Sequence, residues 1–376
     1  MNYLDSKAEN KACPECGSEM WPTIYGMTAS NPADDKLYGM GCLMDFDMAK
    51  FGCPTCDYLI YESGKTVNPA RDRALGSIVG LAIGDALGAP YEFKPPVTDD
   101  TPITMDYNER WTPGQWTDDT AMAIAIMQAW TKHGNITSVE AQDSLVRIWK
   151  EWAKTAPDVG VQTRQVLMSL NLETAEESTL ASEALHLATG RSGGNGSLMR
   201  TAPLAFLKLP DEEVAKVVTQ ISKLTHFDDD AAHACIIWVF AIRHAIKTGE
   251  LDFEPGFQFI PEEDRTKWHG FLQEAAEHPP VHFENNGWVV AAFKAAASAV
   301  MIGHYDYTKG IEAAIRAGFD TDTVAAIAGS LLGAISGEKY LPEEWKDVLH
   351  GWPEWTSHEL QNSVIEALNL GKIPRT

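Results

Sequence analysis

Two stretches decide the fold: Ala74 to Phe93, ALGSIVGLAIGDALGAPYEF, and Gly318 to Gly337, GFDTDTVAAIAGSLLGAISG. Both are apolar at helical period, and both place glycine at every fourth position: Gly76, Gly80, Gly84 and Gly88 in the first, Gly329, Gly333 and Gly337 in the second. Residues four apart share one face of a helix. Glycine inside a helix costs about 1 kcal/mol against alanine, so a ladder of them needs close backbone approach in return. Packing alone would explain either ladder. If the two lie face to face and antiparallel, however, the end of the first helix, with Asp85 and Glu92, meets the start of the second, with Asp320 and Asp322. Carboxylates far apart in sequence would then converge.

Outward from these two segments the chain is helical in texture. Periodicity predicts helices over 70–88, 118–133, 138–154, 160–171, 178–189, 211–225, 229–247, 262–276, 288–303, 308–317, 321–337 and 357–369. The expected fold class is all-α: a compact multi-helical domain over residues 69–376, preceded by a small β module over residues 1–68. No solenoid repeat is evident, because the helices differ in length and the loops carry unlike residues. Hydrophobic residues make up 44% of the 376, enough for a sizeable core. The balance of 30 Lys+Arg against 53 Asp+Glu gives −23, which repels phosphate backbones and argues against nucleic acid as a partner. The first residues lack the basic and apolar regions of a secretory leader, and the most apolar stretch, Trp288 to Ile302, is broken by Lys294. A cytoplasmic protein without a membrane span is the expectation. The sequence does not set the oligomeric state, for which a monomer is the default.

Six cysteines lie at 13, 16, 42, 53, 56 and 235. Cys13-Pro-Glu-Cys16 and Cys53-Pro-Thr-Cys56 form two CPxC knuckles in one short module, each able to offer two thiolates to a single tetrahedral Zn²⁺. In a reducing compartment paired cysteines read as metal ligands before disulfides, and a module this small needs a staple. Cys42 could substitute as a ligand but reads better as a spare core thiol, and Cys235 reads as a buried helix residue. The module resembles a zinc ribbon, with Cys13, Cys16, Cys53 and Cys56 holding a structural Zn²⁺. Its five Lys against ten Asp+Glu suit docking to a protein, or shaping the neighbouring domain, better than clamping DNA.

Four further segments carry chemistry. Thr117-Asp118-Asp119-Thr120 precedes an apolar run and, taken alone, is an ordinary helix start: Thr can cap, and Asp suits the first turn. Asp320-Thr321-Asp322-Thr323 repeats the same pattern at another helix start. Together they offer enough hard oxygen ligands for one or two Mg²⁺ or Mn²⁺ ions, while the lack of HExxH or a histidine cluster argues against catalytic zinc. Ser192 to Arg200, SGGNGSLMR, is a glycine-rich loop whose N–H groups could meet an anion, with Arg200 nearby; it fits neither the Walker nor the dinucleotide pattern. Thr225-His226-Phe227-Asp228 opens another helix, where such residues are usually structural.

The order of these segments carries more than each alone: GLAIGDALGAPYEF at 80–93, WTPGQWTDDTAMA at 111–123, SGGNGSLMRTAP at 192–203, THFDDDA at 225–231 and GFDTDTVAAIAGSLLGA at 318–334. Over about residues 70–340 the chain resembles the ADP-ribosylglycohydrolase family, which includes the dinitrogenase reductase activating glycohydrolases. The resemblance excludes the cysteine module. It implies that Thr117, Asp118, Asp119, Asp320, Asp322 and Thr323 hold a binuclear Mg²⁺ or Mn²⁺ centre, and that Glu92 is the family's mobile acidic residue. Gly193, Gly194, Asn195, Gly196, Ser197 and Met199 would then contact diphosphate and ribose, with His226 matching a recurrent histidine. One departure stands out: two glycines usually precede the last metal motif, and here the second is Phe319.

The implied reaction is hydrolysis of the glycosidic bond between ADP-ribose and a modified protein side chain or another acceptor, through an oxocarbenium-like transition state. Asp118, Asp119, Asp322 and Glu92 are the catalytic candidates, with Glu92 orienting water or acting as acid or base. The rival readings are a metal-dependent phosphoesterase and a non-catalytic ADP-ribose-binding or structural protein. Intact acidic residues at every motif position oppose the last.

Overall fold

The computed structural model describes residues 12–14, 17–25, 33, 36–40, 48–54, 58–98, 100–303 and 306–370. The chain divides into two compact units, one running to Asp72 and the other from Arg73 to Gly371. In the first, β1 (Trp21–Ile24), β2 (Tyr38–Gly39), β3 (Ala49–Gly52), β4 (Leu59–Tyr61) and β5 (Thr66–Val67) form one sheet in the order β2-β1-β3-β4-β5. β2 is parallel to β1, and the other pairs are antiparallel. Cys13 and Cys53 are buried together with Met20 and Phe51 in its small core. Each opens a turn: Gly17 N donates to Cys13 O at 2.9 Å, and Cys53 N to Tyr58 O at 2.9 Å. Cys16, Cys42 and Cys56 lie outside the described residues.

The second unit is helical. Its elements are α1 (Pro69–Gly88), which starts in the first unit, α2 (Asp118–His133), α3 (Val139–Thr155), α4 (Val161–Ser169), α5 (Ala175–Thr189), α6 (Asp211–Lys223) and α7 (Asp229–Thr248). There follow α8 (Glu254–Phe257), α9 (Glu262–Glu277), α10 (Val289–Gly303), α11 (Tyr307–Arg316), α12 (Thr321–Ser336), α13 (Glu343–Lys346) and α14 (Ser357–Asn369), with a two-stranded ladder of β6 (His350–Gly351) and β7 (Trp355–Thr356) before the last. All twelve helices expected from periodicity are present. Periodicity does not reveal the four-residue α8 and α13 or the two-residue strands, since one turn is too short to show a period. Helix α5 begins at Ala175, three residues earlier than expected, because Thr174 Oγ1 caps it by accepting from Glu177 N.

The two glycine ladders do face each other antiparallel. A β-carbon on Gly80 would stand 2.5 Å from Gly329 O, and one on Gly88 would stand 2.6 Å from Asp322 Cα; Gly84 meets Ala325 O and Gly76 meets Gly333 O. Any larger residue would push the backbones of α1 and α12 apart. Gly337 departs from the expectation: it ends α12 with φ +87 instead of sitting inside it. Tyr307 OH donates to Gly80 O at 2.6 Å and Trp238 Nε1 to Ser330 Oγ at 3.0 Å, so α11 and α7 clamp the pair. Among the described residues, only Pro69–Tyr91 is long and apolar enough to cross a membrane, and 89% of its most apolar window is buried inside the protein. This is a core helix by packing, and the stretch at 288–302 is shorter.

Candidate active site

The end of α1 sets the start of α2. Asp85, fully buried, accepts from Thr117 N (2.8 Å), Thr120 N (3.0 Å) and Thr120 Oγ1 (2.6 Å), satisfying donors that a helix start leaves open. Thr117 occupies the N-cap position without making the capping bond expected of it. Its hydroxyl instead donates to Asp119 Oδ2 at 3.1 Å. Capping from a neighbouring helix thus frees Thr117, Asp118 and Asp119 for another task. Asp118 Oδ2 accepts from Gly160 N at 3.2 Å, tying in the turn before α4.

The start of α12 is held differently. Asp320 is its N-cap residue, also without a capping bond. Asn286 brackets it, with Oδ1 accepting from Asp320 N (3.1 Å) and Nδ2 donating to Gly318 O (2.9 Å). Asn195 Nδ2 donates to Asp320 Oδ2 (2.8 Å) and to Asn286 O (2.9 Å). Thr321 Oγ1 donates to Gly88 O at 2.9 Å, closing the end of the glycine ladder. Thr323 Oγ1 reaches Asp119 Oδ2 at 3.5 Å, so Asp119 touches hydroxyls from both helix starts. Thr117 and Thr323, one from each helix start, thus meet at Asp119, while Asp118 is held by Gly160 and Asp320 by Asn195.

Glu92, Asp158 and Asp322 add to this centre, with a carboxylate oxygen of each within 4.8 Å of the others. Arg110 answers two of them, Nη1 to Glu92 Oε2 at 3.4 Å and Nη2 to Asp158 Oδ1 at 2.9 Å. One guanidinium leaves most of the negative charge uncompensated. Burial, reinforced by Asp158 and Asp320, pushes Glu92 up to about 8 despite Arg110. Burial also pushes Asp85 up to about 6, opposed by its hydrogen bonds from Thr120 and Thr117. Asp118, Asp119 and Asp322 are driven well above the ordinary carboxylate range, first by burial and then by neighbouring carboxylates; Asp158 and Asp320 are raised by burial. Asp119 Oδ1 and Asp322 Oδ1 are buried without any hydrogen-bond partner. Two orphaned oxygens among hydroxyl and carboxylate donors fit a hard divalent cation.

Beside this cluster lies the glycine-rich loop. Gly193, Gly194 and Gly196 are partly exposed, while Asn195, Ser197 and Met199 are buried. Asn195 belongs to the Asp320 network, Ser197 Oγ meets Cys235 Sγ at 3.6 Å, and Met199 lies in the hydrophobic core. Of these six residues only the glycines are partly exposed, and the Gly193 carbonyl accepts from Val289 N at 2.9 Å. His226 packs beneath them: a β-carbon on Gly196 would lie 3.0 Å from its ring, and one on Gly194 would lie 3.3 Å away. Burial, helped by Arg200, keeps this imidazole neutral by holding it well below its usual value. Arg200, expected near an anion, is fully buried. Its guanidinium stacks 4.0 Å from the Trp149 ring centre and donates to Ile221 O and Thr225 Oγ1. It supports the loop from within.

Sequence motifs do not single out Asp158, Arg110 or Asn286. Each is a single polar residue in an irregular segment, and only the fold shows that these segments pass the two helix starts. Asn286 sits in an Asn-Asn-Gly sequence whose turn character is readable, but not its target.

The arrangement defines a buried, oxygen-rich centre beside a glycine loop. A profile of the ADP-ribosylglycohydrolase family matches residues 66–371. The chain is 27% identical to ADP-ribosylarginine hydrolase Tri1 of Pseudomonas putida, over 78% of its own length and 77% of that protein's. It is 28% identical to ADP-ribosyl-[dinitrogen reductase] glycohydrolase of Rhodospirillum rubrum (73% and 89% covered) and 24% identical to ADP-ribosylhydrolase ARH3 of Gallus gallus (79% and 93%). Among solved structures, a chain described as an ADP-ribosylglycohydrolase-related protein complex superposes with a TM-score of 0.61 at 26% identity, covering 80% of this chain and 98% of that one. The protein is a hydrolase of ADP-ribose glycosidic bonds. The chain belongs to the ADP-ribosylglycohydrolase family.

Proposed function

We propose that this protein removes ADP-ribose from a modified protein side chain by divalent-cation-dependent hydrolysis of the glycosidic bond, releasing free ADP-ribose. The observation that carries this reading is the meeting of both helix starts at Asp119, with Asp119 Oδ1 and Asp322 Oδ1 buried and unpartnered. Thr117, Asp118, Asp119, Asp320, Asp322 and Thr323 would hold one or two Mg²⁺ or Mn²⁺ ions. When bound, these ions neutralise the carboxylates and act as Lewis acids toward the hydroxyls of the substrate ribose. The backbone N–H groups of the partly exposed Gly193, Gly194 and Gly196 would receive the diphosphate, whose charge they would meet without lysine or arginine. Asn195 and Asn286 fix Asp320, and Asp85 fixes the TDDT turn, so the acceptor oxygens do not reorganise as charge develops.

Glu92 lies beside Asp322 and is held by Arg110. Burial favours its protonated form, so it can give a proton to the leaving group, then as carboxylate take one from the attacking water. Cys13 and Cys53, with Cys16 and Cys56, are proposed to hold one structural Zn²⁺, which would staple a module whose described core is small. A partner-docking role for the module is part of the same proposal.

The test is to incubate the purified full chain with peptides ADP-ribosylated on arginine or serine and to resolve the products by chromatography. Free ADP-ribose should form, stop after chelation and return with Mg²⁺ or Mn²⁺, and elemental analysis should find about one zinc per chain. Release of AMP or phosphate would mark a phosphoesterase. Tight ADP-ribose binding without turnover would mark a binding protein.

A further inference from the structure

Beneath the glycine-rich loop a chain of hydrogen bonds fixes where one proton lies. Arg200 Nη2 donates to Thr225 Oγ1 at 2.7 Å, and Thr225 Oγ1 meets His226 Nδ1 at 2.8 Å. All three residues are buried. A guanidinium only donates, so the Thr225 hydroxyl accepts from Arg200 and has one proton of its own to give. Among the described residues its only other partner is His226 Nδ1. Were Nδ1 protonated, the hydroxyl proton would be buried without an acceptor, a cost that native interiors avoid. Nδ1 is therefore the acceptor, and the neutral ring has its hydrogen on Nε2. Burial, helped by Arg200, keeps the ring in that neutral form.

His226 Nε2 makes no hydrogen bond among the described residues and faces the loop. A β-carbon on Gly194 would stand 3.3 Å from it, and one on Gly196 3.1 Å. Gln162 faces the same place. Its amide nitrogen donates to Ser192 O at 2.8 Å and to Thr225 O at 2.9 Å, which uses both hydrogens. Gln162 Oε1 is left as an acceptor, 3.3 Å from the same β-carbon position on Gly194. Unlike Asp119 Oδ1 and Asp322 Oδ1, neither atom is sealed from the surface. Because residues 194 and 196 are glycines, no side chain fills the space before them. A fixed donor beside a fixed acceptor suits a group that both accepts and donates. An ionised phosphate oxygen only accepts, and Gln162 Oε1 would repel it, whereas a hydroxyl does both.

Resting on the hydrolase reading above for the identity of the ligand, we infer that Arg200, acting through Thr225, holds His226 as an Nε2–H donor that binds a ribose hydroxyl of the substrate together with Gln162 Oε1. Arg200 and Thr225 are then positioning residues, and His226 and Gln162 touch the ligand. Two measurements on the full chain test this. Nitrogen–proton NMR of the imidazoles, with the His226 signals identified by their loss in His226→Phe, should show hydrogen on Nε2 and none on Nδ1. Calorimetry then compares ADP-ribose with analogues that each lack one ribose hydroxyl. Removing one particular hydroxyl should weaken binding to the parent about tenfold, the scale of one well-made hydrogen-bonded contact, and should change little in His226→Phe. Thr225→Val should lose the same hydroxyl dependence and let hydrogen appear on Nδ1, while Thr225→Ser, which keeps the hydroxyl, should behave as the parent. A purely structural Thr225 would lower the melting temperature in Thr225→Val and leave tautomer and hydroxyl dependence unchanged, which would overturn the inference. Hydrogen on Nδ1 in the parent, or a loss in His226→Phe that is equal for every analogue, would overturn it too and leave the hydrolase reading intact. Both of these readouts decide even if Thr225→Val does not fold. A parent with the expected tautomer and hydroxyl dependence that releases no ADP-ribose from modified peptides would overturn the hydrolase reading alone.

Discussion

The two acidic helix starts carry nearly the same residues, TDDT at 117–120 and DTDT at 320–323, yet they are built in opposite ways. The first is anchored by one rigid group: Asp85, inside a helix whose backbone touches α12, takes three hydrogen bonds from it. The second hangs on loop amides, with Asn286 and Asn195 holding Asp320 and a left-handed pair, Gly318-Phe319, leading into it. A start fixed from the core should tolerate little change around it. One fixed from loops can change at its rim, and there a bulky Phe319 stands in left-handed backbone. The same ligand chemistry can therefore sit on a rigid scaffold on one side and an adjustable one on the other.

Asp119 lies where the two starts meet, and its removal should have the largest effect. Asp119→Ala takes away the oxygens that face Thr117 and Thr323, one of them buried and unpartnered. Loss of turnover should exceed the roughly 10- to 100-fold typical of an outer residue at a metal site. Because burial drives this carboxylate well above its usual range, the chelated variant should melt no lower than the chelated parent. Retained turnover together with a lower melting temperature would make Asp119 a structural residue and break the shared-centre account.

The two anchors come next. Asp85→Ala leaves Thr117 N, Thr120 N and the Thr120 hydroxyl without partners in a buried place, at about 1–3 kcal/mol for each unmade bond. Asn286→Ala orphans Asp320 N and Gly318 O, which are fewer, and the first of them is only partly buried. Urea denaturation should therefore show the larger loss for Asp85→Ala, while Asn286→Ala should cost turnover about 10- to 100-fold with most of the stability kept. The reverse order would show that the loops, and not α1, hold the site together.

Much of this architecture is legible in the residues themselves. Long helices with a clear 3.6 period lie at nearly their expected bounds, and the ladders imply the antiparallel contact that brings Gly88 to Asp322. Short segments are not legible, since α8 and α13 are single turns. The oxygen ligands stand out because two helix starts repeat one pattern. Asp158 and Arg110 do not, because each is one charged residue in a loop, and its meaning depends on where the chain runs. Arg200 misleads for a related reason: an arginine after a glycine loop suggests an anion, and only burial against Trp149 shows that it faces inward. Phe319 is visible as a departure, but its left-handed backbone, which explains why glycine suits that position, is not.

The smallest effect distinguishes the two starts by their protons. In the chelated protein Glu92 is pushed up to about 8 from 4.5 and Asp85 up to about 6 from 3.8, and Asp322 is raised well above 3.8, all chiefly by burial. Between pH 4 and 8 the folded state therefore holds more protons than the unfolded chain, so stability falls as pH rises through this window. The melting temperature of the chelated protein should drop from pH 5 to pH 8, by roughly 1.5–2 °C for each kcal/mol lost in a domain of this size. A divalent cation competes with those protons, so Mg²⁺ or Mn²⁺ should raise it more at pH 8 than at pH 5. Asp322→Asn should flatten the slope more than Asp85→Asn, because Asp322 Oδ1 has no partner while Asp85 is offset by its threonine donors. A chelated protein whose melting temperature is level or rises from pH 5 to pH 8 would mean that the carboxylates are already matched by charge. Equal flattening by both substitutions would mean that the core-anchored and loop-anchored starts share one protonation equilibrium and act as a single unit.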